Sequence, residues 1–234
     1  NFISGKSNYL VVEACEYKRS FLDIHPSIIL LTNIDNDHLD YYKNIGNIVK
    51  AFREFVSKLV REGAVICDPK APYIRGVIRG SKARVVDYTK SPKLNDLKVI
   101  GDHNIRNAQA AYAVGKLLNI SDAVIRKSLR SFRGVGRRFE YKGAWKGVRF
   151  YDDYAHHPTE IRATLRAARE CLGPRRRIWV VFQPHLYSRT KLLMREFATA
   201  FDDADHVLLA DIYAAREKDD GTVHARDLAT AIAA

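Results

Sequence analysis

Short apolar runs alternate with segments of helical period along this 234-residue chain, and that alternation limits its fold more than any other feature. "YLVVEA" (9–14) and "SIILLTN" (27–33) are near-continuous apolar runs of strand length, as buried parallel strands require. From Ile45 to Val60 the apolar positions fall on one helical stripe: Ile45, Ile48, Val49, Phe52, Phe55, Val56, Leu59 and Val60. "AVICD" (64–68) reads as a strand, with "ARVVDY" (83–88) and "LKVI" (97–100) as shorter candidates. Helices are expected over about 103–118 and after Ser121, an N-cap with Ile120 and Ile125 spaced as a hydrophobic staple. A second alternation follows: strand "VRFYDD" (148–153), helix 158–171, strand "IWVVF" (178–182), helix 190–201, strand "HVLLA" (206–210), and a last helix from about Ala225. Such alternation implies α/β architecture with parallel, doubly wound sheets.

"FRGVGRRFE" (132–140) interrupts the pattern with two glycines and three arginines, which suggests a linker between two domains. No run approaches the roughly eighteen apolar residues of a membrane span, and no signal-peptide pattern opens the chain. Cys15, Cys67 and Cys171 are odd in number and widely spaced, as expected of reduced thiols in a cytoplasm. Lys+Arg 39 against Asp+Glu 27 gives a net charge of +12. That charge is dispersed and no aromatic-interleaved basic stripe accompanies it, so the expectation is no nucleic acid; small polyanions are drawn by the same field.

Ligands of open α/β sheets bind beyond the carboxyl ends of the strands. Polar clusters sit at five such ends here: Glu13 and Glu16; "IDNDHLDYY"; Asp152, Asp153 and Tyr154; "QPHLYSRT"; and Asp211 with Tyr213, leading into "AAREKDDG". Asp35, Asp37, His38 and Asp40, with Glu13 alongside, suit a divalent cation, Mg²⁺ better than Zn²⁺ because carboxylates dominate. A turn that starts the next helix explains the same residues. Asn104 and Asn107 share a face near a helix start, where amides can read a base edge or simply cap the turn. In "FYDDYAHHPTE" (150–160), adjacent His156 and His157 point in different directions, which argues against joint zinc ligation. His157 is expected at the N-cap with Pro158 at the first helical position, leaving Asp153, Tyr154 and His156 for ligand contact.

Taken together, "VVEACEYKRSFL", "HPSIILLTNIDNDHLDYY", "GDHNIRNAQAAYAVG", "FRGVGRRFE", "YDDYAHHPTEI", "FQPHLYSRT" and "DIYAAREK", in that order, resemble the Mur ligase family. The resemblance implies part of a central parallel or mixed-sheet ATPase domain over 1–135, then a Rossmann-like C-terminal ligand domain over 136–234. It also implies ATP-dependent amide-bond formation through an acyl phosphate, with ATP and Mg²⁺ as cofactors. UDP-N-acetylmuramate and L-alanine are the implied substrates, in cytoplasmic peptidoglycan synthesis. "EACEYKRSFL" inclines towards alanine rather than a whole peptide as the amino donor. Carried over by position, Glu13 and His38 resemble the Mg²⁺ ligands, and Asn104 and Asn107 the pair at the adenine end of ATP. Arg138 and Asp153 resemble groups that reach the phosphates and ribose. Tyr154 and His156 fall where substrate and nucleotide are contacted, and His185 and Arg189 where the amino-acid and acyl-phosphate pocket is lined. His38, His185 and Arg189 are thus the expected catalytic set.

Three departures accompany the resemblance. Leu186 stands where many relatives carry arginine, so Arg189 is expected to take more of that role. Cys15 stands in "EACEY" where relatives often have "EADES", and reads as a buried thiol at a strand end. The family's phosphate-cradling G-x-x-G-K-T loop is not among these residues, nor is its UDP-sugar domain, so a fragment inactive by itself is expected.

Overall fold

The computed structural model describes residues 4–234. In the first half, β1 (Ile28–Leu30) leads to α1 (Leu39–Tyr42) and α2 (Ile45–Ser57), followed by β2 (Ala64–Cys67), α3 (Ile74–Ile78), β3 (Arg84–Asp87), α4 (Asp102–Leu117) and α5 (Asp122–Ser131). The strands form one parallel sheet in the order β1-β2-β3, with Ile29 opposite Val65 and Val65 opposite Val85. All four β2 residues are buried, as a central parallel strand covered on both faces requires. The apolar stripe of α2 supplies Ile48, Ala51, Phe55 and Val56 to a core shared with Phe21, Val65, Ile74 and Val77. On the other face, Ile66 and Tyr88 pack with Ala110 and Ala113 of α4. Gly115 lets α5 approach α4, because a Cβ there would lie 2.8 Å from Ile125. Ser121 occupies the N-cap of α5, although its side chain makes no capping bond.

The second half contains β4 (Glu140–Trp145), β5 (Val148–Asp152), α6 (Pro158–Leu172), β6 (Trp179–Phe182), α7 (Tyr187–Leu192), α8 (Met194–Ala198), β7 (His206–Leu209) and α9 (Ala225–Ala233). β6 and β7 pair in parallel, while β4 and β5 form a separate antiparallel hairpin. Its core joins Ile161 and Leu165 of α6 to Phe182, Phe197, Phe201 and Leu228.

Five sequence expectations need correction. Residues 9–14 form no strand: Tyr9, Leu10, Val11 and Val12 are 64, 77, 94 and 53% exposed. An apolar run becomes a strand only when a neighbour takes its backbone hydrogen bonds, and β1 is paired on its β2 side alone among the described residues. Cys15 on the same segment is correspondingly exposed rather than buried. "LKVI" lies in a turn; its Ile100 carbonyl accepts the Asn104 side-chain amide instead. "VRFYDD" pairs antiparallel with a strand the sequence did not announce, because Lys146 (φ 47°) and Gly147 (φ 81°) close a two-residue hairpin in the left-handed region. The helix expected over 190–201 begins at Tyr187 and breaks at Leu193 (φ −108°, ψ 22°), whose side chain is buried in the second core.

Candidate functional site at the seam between the two halves

The loop after β1 carries the groups that meet the second half of the chain. Its residues 35–40 touch three elements there. His157 N–H at Nε2 donates to the Asn36 carbonyl at 3.2 Å, and the Thr159 hydroxyl donates to Asp35 at 2.7 Å. Arg189 donates to Asp37 at 2.7 Å, and Arg216 to Asp40 at 3.2 Å. Leu39 packs against both cores.

His157 can serve this seam because α6 fixes it as expected. Its Nδ1 accepts the Thr159 N–H at 3.3 Å, and Glu160 returns the favour by accepting the main-chain N–H groups of His156 (3.0 Å) and His157 (3.3 Å). Pro158 fills the first helical position, where a missing N–H costs nothing. With Nδ1 accepting, the ring's N–H at Nε2 is aimed at the first half of the chain.

On the first-half side, one ligand atom each from Glu16, Asp37 and His38 lies within 4.8 Å of the others. His38 sits in the left-handed region (φ 53°) at the start of α1, which turns its ring towards Glu16; Nε2 is 3.3 Å from Glu16 Oε1. Tyr17 covers the imidazole with ring centroids 4.8 Å apart. The other nitrogen, His38 Nδ1, is buried without a hydrogen-bond partner. Glu16 and Asp37 both face Nε2, and the imidazole with these two carboxylates is a donor set that fits a divalent cation. Glu13 stands exposed on the extended segment and lies outside this group.

The electrostatics follow from burial and these pairs. Burial would raise the Asp37 carboxyl, but the Arg189 guanidinium and His38 outweigh it and hold it down to about 2. Burial would lower His38, but Glu16 and Asp37 outweigh it, so its pKa stands above the ordinary value. His185 moves the other way: burial, the Arg189 charge and His156 all push it down. His103 is also lowered, chiefly by burial, against a partial opposing pull from Asp153.

On the second-half side, Arg189 is a buried cation on α7 (7% exposed) whose Nη1 lies 3.1 Å from His185 Nδ1. His185 is bridged to Tyr213, which joins the loop after β6 to the loop after β7. The His156 ring lies 5.7 Å from His185 and 5.0 Å from Tyr154. Tyr154 is exposed, with the Arg137 guanidinium 4.5 Å above its ring. His38 is thus linked through Asp37 to Arg189, His185 and His156, with Tyr154 at the outer end of the set.

Asp153 has a framing position: its carboxylate accepts Phe139 N–H and Ala155 N–H, both at 2.7 Å, tying the linker to the loop before α6. Arg138 reaches Glu160 at 3.4 Å. Asn104 is half-buried and bonded to Ile100 O at 2.7 Å, whereas Asn107, one turn on, is exposed. Their link to the remaining groups runs through His103, which feels the charges of Asp153 and Arg138. Asn104 and Asn107 make no direct contact with the His38–Arg189 set.

Two contributors escaped the sequence reading. Arg216 stacks its guanidinium on Tyr17 at 4.6 Å while pairing with Asp40, so the loop after β7 closes over the cation group. Its position in "AAREK", beyond a strand end, was the available signal; its partner Tyr17 carried none.

Residues 2–97 match the family model described as the Mur ligase middle domain, and residues 137–234 the one described as the Mur ligase, glutamate ligase domain. The chain is 44% identical to the UDP-N-acetylmuramate–L-alanine ligase of Clostridium acetobutylicum, over 99% of this chain and 56% of that protein. It is 42% identical to the enzyme of the same name from Caldanaerobacter subterraneus subsp. tengcongensis, over 96% of this chain and 54% of that protein. Among solved structures, the UDP-N-acetylmuramate-alanine ligase MurC of Thermotoga maritima superposes with a TM-score of 0.65 at 26% identity, covering 92% of this chain and 50% of that one. The chain therefore spans about half the length of the curated relatives it matches.

Proposed function

The chain belongs to the Mur ligase family, and we propose that it forms part of an ATP-dependent ligase that joins L-alanine to the carboxylate of UDP-N-acetylmuramate. The observation that carries this reading is the seam itself: a cation-binding donor set from one half meets His185 and Arg189 from the other, with Asp37 common to both. In this reading residues 1–135 form the central ATP-binding domain and 136–234 the ligand domain.

When bound, ATP supplies the phosphoryl group that makes the carboxylate an acyl phosphate, and Mg²⁺ supplies positive charge beside it. The residues of this chain bind and align the reactants. His38 presents Nε2, the nitrogen that faces Glu16 and Asp37, as a cation ligand with those two as carboxylate partners; the family motif favours Glu13 for the carboxylate, whereas geometry favours Glu16. Arg189 faces the pocket as a buried positive charge, suited to the charge that develops on a transferring phosphoryl group and a tetrahedral carbon. His185, held neutral, offers a hydrogen bond without adding charge. Tyr154 and His156 line the substrate side, while Asn104, Asn107, Arg138 and Asp153 hold the nucleotide. Bringing amine and acyl phosphate together in one desolvated seam supplies the alignment that amide formation needs.

The test is phosphate release by the protein that carries this chain at its natural length, with ATP, Mg²⁺ and UDP-N-acetylmuramate. Release that requires L-alanine, and is not supported by a tripeptide in its place, agrees with the reading. Release driven by tripeptide, or indifferent to any amino donor, contradicts it.

A further inference from the structure

Arg189 has two partners on different elements, and the chemistry of a guanidinium fixes the role of each. Nη2 donates to Asp37 Oδ1 at 2.7 Å, and Nη1 lies 3.1 Å from His185 Nδ1. A guanidinium has no lone pair to offer, so His185 Nδ1 must accept and the neutral ring carries its proton on Nε2. Asp37 Oδ1 also accepts the His38 main-chain N–H at 2.7 Å, which leaves Oδ2 on the side of the His38 ring, 3.8 Å from Nε2. Oδ1 therefore bridges the two halves of the chain, while Oδ2 faces the His38 ring.

We propose that Asp37 is a positioning residue: by holding Arg189 across the seam it sets the orientation and tautomer of His185, so that the second half's pocket groups are aligned only when the first half supplies this carboxylate. The roles of Arg189 and His185 in the pocket rest on the functional reading above; the network itself does not.

The physical case is one of burial. Arg189 is 7% exposed, and a cation so placed needs its partner. Without the Asp37 charge the guanidinium gains more by turning towards water than by keeping a single bond to a neutral ring. His185 Nδ1 then loses its donor, and nothing else bonded to that nitrogen holds the proton on Nε2. Both tautomers then become accessible, because the hydrogen bond that selected one of them is gone. Lysine in place of Arg189 cannot reproduce the arrangement, because a point charge lacks the fork that reaches two acceptors at fixed angles.

The experiment uses the natural-length protein that carries this chain, labelled with ¹⁵N-histidine, read by long-range ¹H–¹⁵N spectra at pH 8, with His185 assigned from the signals lost in His185→Gln. The wild type is expected to show His185 as a single Nε2–H tautomer. Asp37→Asn and Arg189→Lys should each convert it to a tautomer mixture, and Asp37→Glu should restore part of the single form. Glu170→Gln, which removes the remote surface pair with Arg166, should leave it unchanged. Arg189→Lys reads the same link from the other side if Asp37→Asn does not fold. An unaltered His185 in both variants overturns the proposal, as does an equal change in Glu170→Gln. No substrate enters this measurement, so its failure leaves the ligase reading standing, and failure of the phosphate-release assay leaves the network standing.

Discussion

Arg189 Nη2 and Asp37 Oδ1 meet at 2.7 Å although 152 residues separate them in the chain. An ion pair between exposed side chains contributes at most about 1 kcal/mol, but this cation is almost wholly enclosed, so removing its partner costs more than that. It lies in a row of contacts made by residues 35–40, flanked by Thr159 with Asp35, His157 with Asn36, and Arg216 with Asp40. Residues 35–40, a loop and the start of α1, thus meet the second half, and the same stretch supplies Asp37 and His38 to the cation-binding group. Seam and site are the same structure.

His157 has two separable duties, and two substitutions distinguish them. His157→Ala removes both the cap on α6 and the bond to the Asn36 carbonyl, at about 1 kcal/mol each. His157→Asn keeps a side-chain acceptor for the helix start but is too short to reach Asn36 through a ring nitrogen. Thermal unfolding should rank wild type above His157→Asn above His157→Ala. Equal loss in both variants would mean that the cap carries no separate weight.

The cation group gives a binding prediction that needs no turnover. Mn²⁺, a divalent probe countable by its electron paramagnetic resonance signal, should bind about tenfold or more weakly to His38→Ala, on the scale typical of disturbed metal sites. Glu16→Gln should weaken binding comparably. Comparison with Glu13→Gln decides between geometry and family motif. A larger effect at position 13 than at 16 would mean that the cation-bound arrangement of residues 9–16 differs from the one described.

The three thiols should separate cleanly under alkylation at pH 8. Cys15 and Cys171 are exposed, whereas Cys67 is fully buried in β2, where burial first, and then Asp87 and Asp68, push its thiol up to about 11. Two thiols should react quickly and the third only on unfolding. The linkage sign follows from a raised folded-state value. Stability from keeping Cys67 protonated is complete below pH 9.0 and is lost as pH rises towards about 11. Rapid labelling of all three thiols in the native chain would contradict the placement of β2.

Helices were easier to read in the sequence than strands, for reasons visible in particular residues. The stripe from Ile45 to Val60 marked α2 because its own side chains record which face is buried. The run at 9–14 misled because a strand depends on a partner elsewhere, which its own residues do not record. β4 was missed for a related reason: "EYKGAW" is polar and glycine-interrupted, and it pairs only because Lys146 and Gly147 adopt positive φ next to it. In the site, His157 at the helix start was legible from Pro158 at the first helical position. The gathering of polar groups beyond strand ends was legible as a rule of topology. Asp37 as the partner of Arg189, and Arg216 on Tyr17, were not, since each pair joins segments far apart in the chain whose meeting is decided by how the two cores pack through Leu39.

The most direct measurement of the proposed chemistry follows an oxygen atom. UDP-N-acetylmuramate labelled with ¹⁸O in its carboxylate is incubated with ATP, Mg²⁺, L-alanine and the natural-length protein, and the released phosphate is analysed by mass. Activation as an acyl phosphate joins a carboxylate oxygen to phosphorus, and attack by the amine on the carbonyl carbon expels it with the phosphate. The account predicts one ¹⁸O in each phosphate released, and release only when L-alanine is present. Phosphate free of ¹⁸O would mean that water, not the substrate carboxylate, received the phosphoryl group, and would contradict the ligase assignment.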